Sequence, residues 1–197
     1  MADQVQSASE MRNSLPLWLA VSITVVLMIP FGLWLGTWNF VLWCAFIVWA
    51  EYFALGARPQ VLKILIPAYT FGAVVTGIAM FVNVYLTQWL PSIHTPGDLA
   101  IAVDLFVFVA IMVYAMGKST TLGTGSLAMF NGISMVLALY FSGSFPHVGG
   151  AAAAPWMALL WAVVSGWFGA LAGVFNVWIL FPRPVSGGAS AEGIPAR

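Results

Sequence analysis

The sequence predicts an all-α polytopic membrane protein, a six-transmembrane-helix bundle with both termini in the cytoplasm. Three observations carry that prediction. Of the 197 residues, 62% are hydrophobic and only 6% are charged, where a soluble domain carries about 25%. The apolar residues gather into runs close to the length of about 20 that crosses a hydrocarbon core as helix. And every Lys and Arg falls in the two tails, in alternate connections between those runs, or in the first turn of the run that follows one. Six basic and six acidic residues cannot clothe a soluble surface or build a basic face for nucleic acid.

The runs follow in order. The first extends from Leu17 to Leu35 and ends at Gly36-Thr37-Trp38-Asn39. The second, Phe40 to Leu55, is the shortest and ends before Arg58-Pro59. The third, Val61 to Trp89, is long enough to tilt or project, and Pro91 to Gly97 close it. The fourth, Leu99 to Met116, ends at Gly117-Lys118. The fifth, Leu122 to Phe141, stops at Ser142 to Gly150, and the sixth, Ala153 to Phe181, at Pro182-Arg183-Pro184. Arg12, Arg58, Lys63, Lys118, Arg183 and Arg197 then share one side. The positive-inside rule makes that side the cytoplasm. The domain plan is a cytoplasmic tail over 1–15, the membrane domain over 16–182 and a disordered Gly/Ser/Pro-rich cytoplasmic tail over 183–197.

In lipid, helices associate where small residues let backbones approach. The sixth run offers Ser165, Gly169 and Gly173, the first Gly32 and Gly36, and the third Ala73 and Gly77. These stripes serve contacts within the chain or, on the sixth run, a homo-oligomer seam. Trp18, Trp38, Trp89 and Trp156 fall near run ends, where indole suits the interface. Pro30 and Pro67 predict bends. A faint similarity between Phe53-Ala54-Leu55-Gly56 and Tyr114-Ala115-Met116-Gly117, and between Phe71-Gly72 and Asn131-Gly132, suggests a parallel repeat. Cys44 lies alone in an apolar run and reads as a small hydrophobe.

Polar groups in hydrocarbon are the functional candidates. Glu51 lies near the cytoplasmic end of the second run, where Arg58 or Lys63 is within its reach. Asp104 lies about two turns into the fourth run, with no basic residue on its side. Depth places Asn83 near Asp104, Thr70, Asn131 and Ser134 near the middle, and Asn176 level with Glu51. Such layers describe either a path for a small solute or polar glue between helices. His94, His147 and Asp98 share the outer loops but lack ligand spacing, so no metal or other cofactor is expected. No nucleophile elbow, HExxH helix or phosphate loop is present. An enzyme and an ATP-driven pump are therefore not expected.

Leu42-Trp43-Cys44-Ala45-Phe46 through Tyr52-Phe53-Ala54, the Gly72-containing third run, and Trp167-Phe168-Gly169 through Asn176-Val177-Trp178 resemble the YcdZ-like family of small bacterial inner-membrane proteins. The likeness extends from about Leu17 to Phe181. It implies a bacterial inner-membrane location and no activity, because the family is a domain of unknown function. The Gly/Ala-rich loop from Ser142 to Pro155 departs from its pattern, and no functional residue carries over. Two functions fit: a channel or facilitator for a small solute, working as a homo-oligomer, or a non-transporting subunit that stabilises a partner complex.

Overall fold

The computed structural model describes residues 11–12, 14–180 and 183–184. Nearly all of these are helical. The helices are α1 (Leu17–Leu35), α2 (Leu42–Ala54), α3 (Leu62–Trp89), α4 (Asp98–Lys118), α5 (Thr120–Thr124), α6 (Ser126–Ser142) and α7 (Ala154–Ile179). Among the described residues, four segments are long and apolar enough to cross a bilayer: Leu17–Trp38, Pro59–Trp89, Asp98–Lys118 and Ala154–Ile179. The second and fifth sequence runs form shorter helices. α2 has 13 residues, about 20 Å of rise, which is less than a hydrocarbon core needs. The fifth run divides into α5 and α6 at Gly125, whose backbone passes so close to Ala68 and Ile64 of α3 that a Cβ would collide with both. The predicted disordered tail lies outside the described residues.

The centre of the molecule is built from α2, α3, α6 and α7. α3 packs on α6, α2 packs on α7, and α3 crosses α7 between them. α1 rests on α7 and α4 on α3, and both turn long rows of apolar side chains outward. Leu33, Trp34 and Phe106 are about 70% exposed or more, which suits helices whose outer faces meet lipid rather than water. Glycine makes the central contacts possible. Gly169 lies against the Ala45 carbonyl, Gly72 against the Met129 carbonyl, and Gly132 against the backbone of Tyr69 and Ala73. The small-residue stripe of the sixth run is thus spent within the chain: Ser165 is fully buried, Gly166 faces the ring of Tyr69 and Gly173 the ring of Tyr52. A homo-oligomer seam on that stripe is not available.

These contacts define an internal repeat. α2 buries Cys44, Ala45, Val48, Trp49, Glu51 and Tyr52, and α6 buries Ala128, Met129, Gly132, Ile133, Met135 and Val136 in the same spacing. α3 buries Leu65, Ala68, Tyr69, Gly72, Ala73 and Thr76, matched on α7 by Ala162, Ser165, Gly166, Gly169, Ala170 and Gly173. α1 buries Ala20 and Thr24 where α4 buries Ala100 and Asp104. Gly72 against Met129 and Gly169 against Ala45 are the same contact made twice. The halves α1–α3 and α4–α7 run in opposite senses. Gly166 meets Tyr69 while Gly77 meets Leu159, so α3 and its counterpart α7 are antiparallel. The parallel repeat suggested by the sequence gives way to an inverted one, with its two-fold axis beside the Tyr69–Gly166 contact.

The ends of the chain come together. Met11–Arg12 pairs antiparallel with Arg183–Pro184, and the backbone amide of Ser14 donates to the Leu180 carbonyl at 3.0 Å. The same end of the bundle holds Arg58, Lys63 and Lys118, at the start of α3 and the close of α4.

Candidate functional site

Glu51 occupies the last turn of α2, and it is 2% exposed. Because α2 is short, its last turn sits level with the interior of α3 and α6 rather than at their ends. The contact of Ala45 with Gly169 at the middle of α7 sets that depth. Asn131, in the second turn of α6, donates its side-chain amide to Glu51 Oε2 at 3.1 Å. Oε1 is buried without a hydrogen-bond partner. The sequence had offered Arg58 or Lys63 as the neutralising partner. The structure supplies an amide instead, which satisfies one oxygen and brings no opposite charge. Tyr69, fully buried beside the repeat axis, donates its hydroxyl to the Ala162 carbonyl at 2.8 Å.

The other candidates separate. Asn176 donates to Thr24 Oγ1 at 2.8 Å, and the Thr24 hydroxyl donates to the Ala20 carbonyl at 2.9 Å. That pair ties α7 to α1 and holds no bond to Glu51. Thr70 accepts the indole N–H of Trp167 at 3.0 Å on an exposed flank. Asn83, 7% exposed, lines a cavity of about 460 Å³ with Thr87, Tyr140, Phe141, Phe145 and Ala154 at the end opposite the basic residues. Its Oδ1 has no hydrogen-bond partner. Asp104 is 1% exposed, and neither carboxylate oxygen has one. It does not line the Asn83 cavity. Since Thr87 lies against Gly97, helical rise puts Asp104 about 5 Å deeper than Asn83, roughly one turn.

The loops at the end opposite the basic residues are held by local bonds. Asp98 accepts the backbone N–H groups of Ile93, His94 and Thr95, at 2.9, 2.6 and 2.9 Å. Its carboxylate is therefore occupied as a loop cap. His147 stacks on Phe145 and meets Asn39 Nδ2 at 3.2 Å, while the same amide donates to the Phe145 carbonyl at 3.0 Å. Asn39 sits at φ 59, a left-handed position that Asn tolerates. Trp161 Nε1 closes the same corner with a bond to the Trp38 carbonyl at 2.9 Å. Among the described residues, no group of three His, Cys, Asp or Glu side chains could hold a metal.

Sequence reading missed Thr24, Tyr69 and Tyr140. Thr24 was readable as a hydroxyl deep in an apolar run. Nothing in the sequence marked the two tyrosines apart from the other aromatics. Comparison of the chain with family models, with curated proteins and with solved structures finds no match.

Proposed function

We propose that the protein is a six-crossing integral membrane protein of the bacterial inner membrane, with both termini cytoplasmic, and that it is a facilitator for a small polar solute. The observation that carries the reading is Glu51, a carboxyl buried at mid-bundle that pairs with the Asn131 amide of the opposite half. A group so costly in hydrocarbon marks a functional site by default. In inverted-repeat carriers, substrate groups lie at the repeat interface near the middle of the bilayer, and Glu51–Asn131 joins the two halves there. The Asn83 cavity supports an entrance from the opposite face. Asp104, Asn176 and Thr70 stand apart from this line: Asn176 bonds Thr24, Thr70 bonds Trp167 on an exposed flank, and Asp104 lies outside the Asn83 cavity. The meeting of the two chain ends supports an even number of crossings. The resemblance of the α2 and α7 sequences to YcdZ-like proteins supports the location.

The mechanism needs no cofactor. A solute with hydrogen-bond donors would exchange its water for the free oxygen of Glu51, and Asn131 would hold the carboxylate toward it. The test is solute entry into liposomes containing the purified protein, followed by light scattering for water, polyols, amides and ammonium salts. Entry of one class should be faster than in protein-free vesicles, and Glu51→Gln should reduce it. No acceleration for any class would overturn the reading. Co-purification of a stoichiometric partner alongside absent flux is the result a non-transporting subunit would give.

A further inference from the structure

The inverted repeat is broken at one place. In the first half, the slot between α1 and α7 is closed by Thr24 and Asn176, bonded at 2.8 Å. In the second half, the place of Thr24 is taken by Asp104, and the spacing that matches α3 to α7 puts Ala79 in the place of Asn176. Where the first half has a hydrogen-bonded neutral pair, the matching positions of the second half hold a carboxyl and a methyl group. Asp104 is 1% exposed, and both of its oxygens are closed to solvent and without a hydrogen-bond partner.

Among the described residues, no charged group on the elements packed against α4 reaches it. The helices chiefly packed against α4 are α3 and α5. α5 carries no titratable side chain. On α3, Lys63 lies in the first turn, about 25 Å of helical rise from the level of Asp104. Tyr69 gives its hydroxyl to Ala162, and Tyr85 is 46% exposed and sets its ring edge-on to Phe81. On α4 itself, Asp98 caps the preceding loop and Lys118 lies at the far end, over the ring of Tyr114. An isolated carboxylate in such a place is strongly disfavoured, and the group neutralises instead. A proton is the one cation that needs no more room than closed oxygens leave.

We propose that Asp104 is a proton-binding site of the membrane interior, held as a neutral carboxylic acid in the slot between α4 and α3. Its proton exchanges when α4 parts from α3. The site stands independently of solute passage through the Glu51 region.

A lipid-soluble carbodiimide tests this on the full-length protein in phosphatidylcholine vesicles. The carboxyl oxygen adds to the central carbon of the reagent, and its proton moves to one nitrogen. An acyl shift to the other nitrogen leaves a stable N-acylurea with no atom lost. Peptide mass spectrometry should place the adduct on Asp104 in the wild type. Its yield should fall about tenfold per pH unit above the midpoint, as the acid form is depleted. Glu51→Gln should keep the adduct and Asp104→Asn should lose it. The wild-type pH profile needs no variant to fold. Absence of an adduct at Asp104, or a yield that does not change from acidic to alkaline pH, would overturn the proposal.

Discussion

Asn131 donates its amide to Glu51 at 3.1 Å across the meeting of α6 and α2, the one side-chain hydrogen bond described between the two short helices. It links opposite halves of the inverted repeat beside the axis that relates them. Since Glu51 Oε1 has no partner, removal of Asn131 leaves a wholly unsatisfied carboxyl. Asn131→Ala should therefore destabilise the protein more than Glu51→Gln does. A double-mutant cycle on denaturant unfolding in micelles should give a coupling of roughly 1 to 2 kcal/mol. A coupling near zero would show that the two side chains do not act together.

The glycine contacts make a second prediction. A Cβ at Gly72 or Gly169 would run into a carbonyl of the partner helix, whereas one at Gly36 would meet nothing within 4 Å. Gly169→Ala and Gly72→Ala should each cost about 3 kcal/mol or more, since backbone cannot move aside as a side chain can. Gly36→Ala should be neutral. Thermal unfolding of the three purified variants orders them directly.

Thr24→Val removes a hydroxyl and keeps the volume. It breaks the Asn176 bond and leaves a buried amide unsatisfied. The expected loss is roughly 1 kcal/mol, in keeping with hydrogen bonds between membrane helices. Unfolding of the single and double variants with Asn176→Leu measures it. The double variant should recover part of the loss, because the orphaned amide is gone.

Asp98→Ala should loosen the loop before α4 without unfolding the bundle. Backbone N–H groups of Ile93, His94 and Thr95 depend on that carboxylate. Bonds to a charged acceptor are worth about 1.5 to 3 kcal/mol, so hydrogen exchange at these amides should speed up about tenfold or more. Exchange within α3 and α7 should not change.

Hydropathy was enough to find the helical runs, since lipid demands apolar length and punctuates it with Gly and Pro. α1, α3, α4 and α7 follow the sequence limits within a few residues. The break at Gly125 was not legible, because it answers to the nearness of Ala68 and Ile64 in space. The repeat was misread for a related reason. Its signal is the spacing of buried positions, shared by Ala45 and Met129 or Tyr69 and Gly166, and among the matched pairs only Ala20 and Ala100, Gly72 and Gly169, and Ala73 and Ala170 keep the residue. Of the candidate site, the sequence marked Glu51, Asn131, Asp104 and Asn83 as costly groups. It could not say that Glu51 meets Asn131 while Asn176 turns to Thr24, because depth along a helix does not fix the face.

The proposed place of Glu51 in the membrane depends most on which ends of the bundle share a compartment. Cysteine accessibility in intact cells measures this, with Cys44→Ala as background. A cysteine at Ser92, in the loop between α3 and α4, should react with a membrane-impermeant maleimide from outside. One at Ser119, beside Lys118, should react only after the cells are opened. Labelling of Ser119→Cys from outside, or of both positions from the same side, would contradict the arrangement and with it the mid-membrane place of Glu51.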